Sequence, residues 1–247
     1  MRRFGLIGHP LGHSFSQKYF TAKFAAEGIQ GCQYDLFPLP DITLFPSLWD
    51  TYPDLVGLNV TIPYKEKVIP YLDGMSDVVR SSGACNCIHR TPMGLVGHNT
   101  DVTGFERSLA PGIRPSHREA LILGTGGASK AVAFVLGRLG IGYRFVSRSG
   151  GGDDGSLSYA ELDRGVMATH TLIVNTTPLG TFPDIDTAPD IPYDLISPEH
   201  YLFDLVYNPP LTRFLEEGLK RGATTRNGSD MLAIQAEESW RIWNDGY

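Results

Sequence analysis

LILGTGGASKAVAFVLGRLG, residues 121–140, carries an apolar run into a cluster of glycines and then directly into a helical pattern. The spacing predicts a strand over 120–123, a turn from Gly124, and a helix over 129–139. Glycines let a backbone turn tightly and approach a phosphate closely. A helix start adds unpaired N–H groups and the positive end of the helix dipole. Strand, glycine turn and helix in that order open a dinucleotide-binding fold. Gly124, Gly126, Gly127, Ala128 and Ser129 are therefore candidate cofactor-binding residues. The third glycine position of the pattern holds Ser129, and a glycine turn without a ligand is the plainer alternative.

The next strand is predicted over 143–146, followed by Ser147, Arg148 and Ser149. A site for NAD is expected to place an acidic side chain here, on the ribose 2′-hydroxyl. Arginine suits the 2′-phosphate of NADP instead, because its planar guanidinium bonds phosphate and stacks on adenine. A solvated loop arginine is the alternative. The loop 150–155 holds Asp153 and Asp154 and no second basic residue, so the expected NADP preference is modest.

Strands and helices alternate on both sides of this segment. After it come strands over 172–175 and 201–206 and helices over 211–221 and 231–243. Leu211, Phe214, Leu215 and Leu219 share one face of the first of these helices. Before it come strands over 3–7, 33–37 and 55–62, a helix over 17–27 and a short helix over 65–71. A hairpin is expected over 84–90 and 95–97, turning at 91–94, and the polar run 113–120 reads as a linker edge. The alternation predicts an α/β protein with mainly parallel sheets.

The chain of 247 residues is 42% hydrophobic and 19% charged, enough for one large or two small packed domains. A formal net charge of −6 argues against a nucleic-acid binder. No apolar run reaches membrane-span length, and the opening MRRFGLIGHPLGHS lacks a signal-like core, so a cytoplasmic protein is expected. Cys32, Cys85 and Cys87 read as reduced thiols. Neither these cysteines nor His9, His13 and His98 have metal-ligand spacing, and no metal is expected.

A second stretch, LNVTIPYKEKV over 58–68, starts as a strand and stops at Pro63. The period of two places Asn59 and Thr61 on one face, with Lys65 just past the strand end. An edge strand with a wet face and a surface lysine is the bland reading of this stretch alone.

Eight stretches together resemble shikimate dehydrogenase: GHPLGHSFSQ, NVTIPYKE, GACNCI, GHNTDVTGF, GTGGAS, NTTPLG, FDLVYNP and NGSDMLAIQA. They follow the family's order and span nearly the whole chain. The resemblance implies a substrate-binding domain over 1–101, completed by 229–247, and a Rossmann domain over 102–228 that binds NADP, the two facing each other across a cleft. It implies reversible NADPH-dependent reduction of 3-dehydroshikimate to shikimate, in aromatic amino-acid precursor synthesis, by a monomer or homodimer. On this likeness Lys65 and Asp101 are the catalytic pair. Ser14, Ser16, Asn59, Thr61, Asn86, Tyr207 and Gln235 contact the substrate. Thr176, Leu205, Gly228 and Met231 join the glycine turn and residues 147–149 around the cofactor.

A polyol acid needs a site lined by Ser, Thr, Asn and Gln, which is the set found here. Ser14 and Ser16 also suit a helix start, and both roles can coexist. The sequence departs from the family at Gln17, where proline is usual, and at Asp230, where a small residue is usual. A quinate or shikimate dehydrogenase that also uses NAD, and a catalytically idle NADP-binding relative, are the rival readings.

Overall fold

The computed structural model describes residues 1–12, 15–150 and 155–244. The chain forms two compact units, one of Met1–Thr103 with Ala233–Tyr247, the other of Gly104–Leu232.

The first unit holds β1 (Arg2–Gly8), α1 (Phe15–Ala26), β2 (Cys32–Pro38), α2 (Phe45–Thr51), β3 (Leu55–Val60), β4 (Gly74–Met75), α3 (Asp77–Ser82), β5 (Cys87–Thr91) and β6 (Gly94–His98). Helix α4 (Thr100–Leu109) begins in it. Its six strands pair in the order β2-β1-β3-β5-β6-β4. β1 lies parallel to β2 and β3, whereas β5 is antiparallel to both of its neighbours, β3 and β6. One face of the sheet packs Ile7, Phe45, Leu58 and Val68. The other packs Phe4, Phe20, Tyr34 and Trp243, with Phe20 stacked on Tyr34 at 4.6 Å and Phe4 on Trp243 at 4.9 Å.

The second unit holds β7 (Glu119–Leu123), α5 (Gly127–Arg138), β8 (Gly142–Ser147), β9 (Leu157–Ser158), α6 (Arg164–Thr169), β10 (Leu172–Asn175), β11 (Tyr201–Asp204), α7 (Arg213–Lys220) and β12 (Thr224–Arg226). Helix α8 (Ser229–Asn244) starts in this unit and returns the chain to the first. The strand order is β12-β11-β10-β7-β8-β9, with every pairing parallel. The chain winds outward from β7 in one direction, then outward in the other from β10, which is the doubly wound Rossmann arrangement. Residues 120–123 and 172–174 are fully buried, as strands covered on both faces must be.

Several local expectations need correction. The stretch 65–71 is not an α-helix but a run of turns ending in a 3-10 turn, Ile69–Tyr71. Pro70 has no N–H to donate to the preceding turn. β3 stops at Val60, two residues before the predicted end, and β5 begins at Cys87 rather than at 84. β11 likewise ends at Asp204 and not at 206. α7 begins after Thr212, whose hydroxyl caps it by accepting from the Leu215 N–H, so Leu211 lies outside the helix. Leu211 and Leu219 are each 50% exposed, and Gly218 takes the inner position beside Phe214 and Leu215. The run 113–120 is no linker: the Arg114 N–H donates to His117 Nδ1, and β7 begins at Glu119. Helices α2, α3, α4 and α6 were not predicted. They are short, and tertiary packing stabilises such helices more than propensity does. Among the described residues no helix is long and apolar enough to cross a membrane.

Candidate functional site

In the first unit, Lys65 stands in the turn that follows β3, and its carbonyl accepts from the Cys85 N–H at 2.7 Å. That bond pins the lysine's turn to the segment that enters β5. Asp101 lies in the first turn of α4, where an acidic side chain suits the helix dipole. Lys65 Nζ donates to Asp101 Oδ2 at 2.6 Å, with both side chains mostly buried. A turn and a helix start, 36 residues apart, thus present one charged pair.

Asn86 precedes β5 and is buried. Its Oδ1 accepts from the Thr100 N–H at 2.6 Å, which fixes the start of α4 directly beside Asp101. Its Nδ2 donates to Thr100 Oγ1 at 3.0 Å. Asn59, on β3, is also buried. Asn59 Nδ2 donates to Ser239 Oγ at 2.9 Å, and Asn59 Oδ1 accepts from the Tyr34 hydroxyl at 2.8 Å. Ser16, on α1, hydrogen-bonds the same Tyr34, whose hydroxyl burial holds well above its ordinary pKa. Gln235 is buried on α8, with Oε1 3.5 Å from Thr100 Oγ1. Asn59, Asn86, Gln235 and Ser16 therefore meet in one polar cluster. Thr61 follows β3, and its N–H donates to the Ile7 carbonyl. Ser14 lies outside the described residues.

Cys85 and Cys87 alternate across the sheet, Cys85 into one core face and Cys87 into the other. Burial pushes the Cys85 thiol up to about 12 and raises Cys87 further. Both are buried free thiols.

In the second unit, the parallel register aligns Leu123 with Val146 and with Asn175, and Asn175 with Asp204. Gly124, Thr176 and Leu205 consequently follow neighbouring strands, and Ser147 ends one, all at the edge formed by the carboxyl ends of the strands, where open α/β sheets bind ligands. Gly124 has φ +102°, a conformation that favours glycine, and an added Cβ would meet Thr176 Oγ1 at 2.9 Å. Gly126 is the N-cap of α5, and a Cβ there would point into open space. Open space at the start of a 12-residue helix is where unpaired N–H groups can receive an anion. Gly127 and Ala128 form the first turn of that helix.

Ser129 turns inward. It is buried, and both its N–H and its hydroxyl donate to the Gly126 carbonyl, at 3.0 and 2.6 Å, so it braces the turn. Thr176 is similarly tied to the Leu123 carbonyl through its N–H and its hydroxyl. Arg148 and Ser149 are exposed after β8, and Ser147 Oγ accepts from the Gly150 N–H. Gly228 lies against Leu205, where a Cβ would fall 2.2 Å from the Leu205 carbonyl oxygen. Met231 is buried on α8, and Tyr207 is half-buried after β11. Asp230 forms an ion pair with Arg226.

Asp204 anchors this edge from below. It is fully buried, and its carboxylate accepts from Asn175 Nδ2 at 2.9 Å, the Val206 N–H at 3.0 Å and Thr212 Oγ1 at 2.6 Å. Burial raises its pKa to about 6, against the pull of those three donors.

Tyr34, Thr100, Ser239 and Asp204 were not singled out from sequence. Thr100 and Asp204 lie inside the stretches GHNTDVTGF and FDLVYNP, and Ser239 stands four residues after Gln235, on the same helix face.

Comparison with known proteins finds similar chains. The family model described as the shikimate dehydrogenase substrate binding domain matches residues 6–88. A shikimate dehydrogenase (NADP(+)) of Caldicellulosiruptor saccharolyticus is 36% identical, over 99% of this chain and 93% of that protein. The structure of shikimate 5-dehydrogenase from Thermus thermophilus in complex with NADP(H) and shikimate matches with TM-score 0.85 and 32% identity, covering 99% of this chain and 94% of that one. A quinate dehydrogenase from Corynebacterium glutamicum in complex with NAD matches with TM-score 0.85 and 25% identity, covering 98% and 93%.

Proposed function

This chain belongs to the shikimate dehydrogenase family, and we propose from that premise that it interconverts 3-dehydroshikimate and shikimate with NADPH. The observation that carries the reading is the Lys65–Asp101 pair beside a buried cluster of amides and hydroxyls. A polyol carboxylate offers several hydroxyls, and each polar group matched to one discriminates against analogues lacking it.

NADPH supplies the hydride when bound, at the glycine turn and the edge that carries Arg148, Thr176 and Leu205. Lys65 holds the reacting carbonyl oxygen, stabilises the negative charge that grows there, and gives it a proton. Asp101 holds the ammonium in place and receives a hydrogen bond from the substrate. In the reverse direction Lys65 takes the hydroxyl proton back. Asn86 shares the α4 start with Asp101, so the polar contacts of the ring and the charged pair are set by the same helix.

A second reading accepts NAD and quinate as well. It is favoured by the sequence after β8, in which Arg148 is followed by Asp153 and Asp154 and by no second basic residue up to Gly155. The deciding measurement is absorbance at the nicotinamide band with purified protein at mildly alkaline pH. Shikimate with NADP is run beside shikimate with NAD and quinate with each cofactor. Fast reduction with shikimate and NADP alone supports the first reading. Comparable rates with quinate or NAD establish the broader one. No reduction by folded protein that still binds NADP removes both, leaving a non-catalytic relative.

A further inference from the structure

The hydroxyls of Ser239 and Thr100 have no role in the reading above, yet each is buried where the candidate substrate residues meet. Proton counting orders their contacts. The Thr100 backbone N–H can only donate, so the atom of Asn86 that it meets is the oxygen. The Asn86 nitrogen then gives one proton to Thr100 Oγ1 and keeps the other. Ser239 Oγ donates its only proton to the Gln235 carbonyl, 2.9 Å away on the same helix. It therefore accepts from Asn59 Nδ2, at 2.9 Å. The single Thr100 hydroxyl proton lies within reach of Ser239 Oγ and Asn86 Oδ1, both at 3.2 Å. The Cys87 thiol also contacts Ser239, as a weak partner.

The second proton of Asn59 Nδ2 goes to the Asn86 carbonyl at 3.3 Å, and its oxygen takes the Tyr34 proton. Among the described residues Asn59 keeps one free lone pair on Oδ1 and no free proton, whereas Asn86 keeps one free proton. A primary amide turned end over end offers the opposite polarity, so whatever fixes its orientation fixes which hydroxyl oxygen donates and which accepts.

We propose that Ser239 and Thr100 are positioning residues that lock the Asn59 amide to present an acceptor and the Asn86 amide to present a donor. This rests on the dehydrogenase reading for the identity of the ligand, but not for the network itself. Ser239 is the acceptor that holds the Asn59 amide nitrogen, and Ser239→Ala removes one oxygen without adding bulk. Asn59 then loses the partner of one buried N–H, an unsatisfied donor of the kind that native interiors avoid.

The test is steady-state kinetics of Ser239→Ala with shikimate and NADP, with nitrogen–proton NMR of the Asn59 and Asn86 side-chain amides. The expected result is a shikimate KM raised roughly five- to twentyfold, an NADP KM unchanged within about twofold, and a smaller change in kcat. The double variant Asn59→Ala/Ser239→Ala should be no worse than Asn59→Ala alone, because the serine acts through the asparagine. A purely structural serine would lower the thermal midpoint and leave that KM split absent, which overturns the proposal. Effects that multiply in the double variant also overturn it. Should wild type turn over no shikimate, the dehydrogenase reading falls, and the NMR signals decide the network. Asn59 amide protons that are shifted and faster exchanging in Ser239→Ala support the positioning role. Unchanged Asn59 signals overturn it.

Discussion

The candidate site of the first unit is made of side chains, and that of the second is made largely of backbone. Around Asn59, Asn86 and Gln235 every amide has a donor end and an acceptor end, so each needs neighbours that choose its orientation. Tyr34, Thr100 and Ser239 do this from β2, α4 and α8. At the start of α5 the N–H groups already point one way, and the turn needs only the absence of side chains at Gly124 and Gly126. Recognition of a polyol by side chains demands a supporting network. Recognition of phosphate by a helix start demands room. Even the second unit needs one buried polar anchor, Asp204, which ties the ends of β10 and β11 to the cap of α7.

Four experiments break or sharpen this contrast. Lys65→Ala strikes the first unit's chemistry and should lower kcat about 10²- to 10⁴-fold while NADP binding persists. Stopped-flow rates with NADP titrated by fluorescence separate the two effects, and near-normal turnover would remove the lysine from catalysis. Asp204→Asn strikes the second unit's anchor. Its amide oxygen keeps the Asn175 and Val206 N–H groups, but its NH2 faces Thr212 Oγ1, whose proton loses its acceptor, and this should cost about 1–3 kcal/mol of stability in urea unfolding. A loss below experimental error would mean that the edge is held by backbone alone.

Arg148→Ala tests whether the second unit adds one side chain to its backbone recognition. The NADP-over-NAD ratio of kcat/KM should fall by roughly tenfold, for loss of a charge-assisted bond to phosphate. An unchanged ratio assigns Arg148 to solvent.

The smallest effect concerns buried histidines of the second unit. His117 Nδ1 accepts from the Arg114 N–H and His200 Nδ1 from the Ser197 N–H, while burial lowers both pKa values. The unfolded chain protonates these imidazoles first, so they withdraw stability as the pH falls through the ordinary histidine value of ~6.5 and below. Asp204 runs the other way: raised to about 6, it withdraws stability as the pH rises from ~3.9 toward 6. The destabilisation by His200→Ala should therefore be smaller at pH 5.5 than at pH 7. An equal difference at both values would remove His200 from the acid response.

Legibility followed the same divide. The glycine turn, the parallel strands around it and the Arg148 position are local patterns of about 30 residues, and the second sheet formed close to where they pointed. The short helices α2, α3, α4 and α6 were missed because packing stabilises them more than propensity does. Lys65 and Asp101 entered through resemblance to a family, and nothing in their spacing of 36 residues says that they touch. By itself, the sequence determined the alternation of strand and helix, the glycine turn and the chemical inventory of the site, because these depend on backbone sterics and short-range periodicity. Tertiary structure alone decided that Asn59 meets Ser239 across 180 residues, that Ser129 turns inward, and which way each amide faces. Those choices belong to contacts among distant segments, and a hydrogen bond has no direction until both of its ends have been brought together.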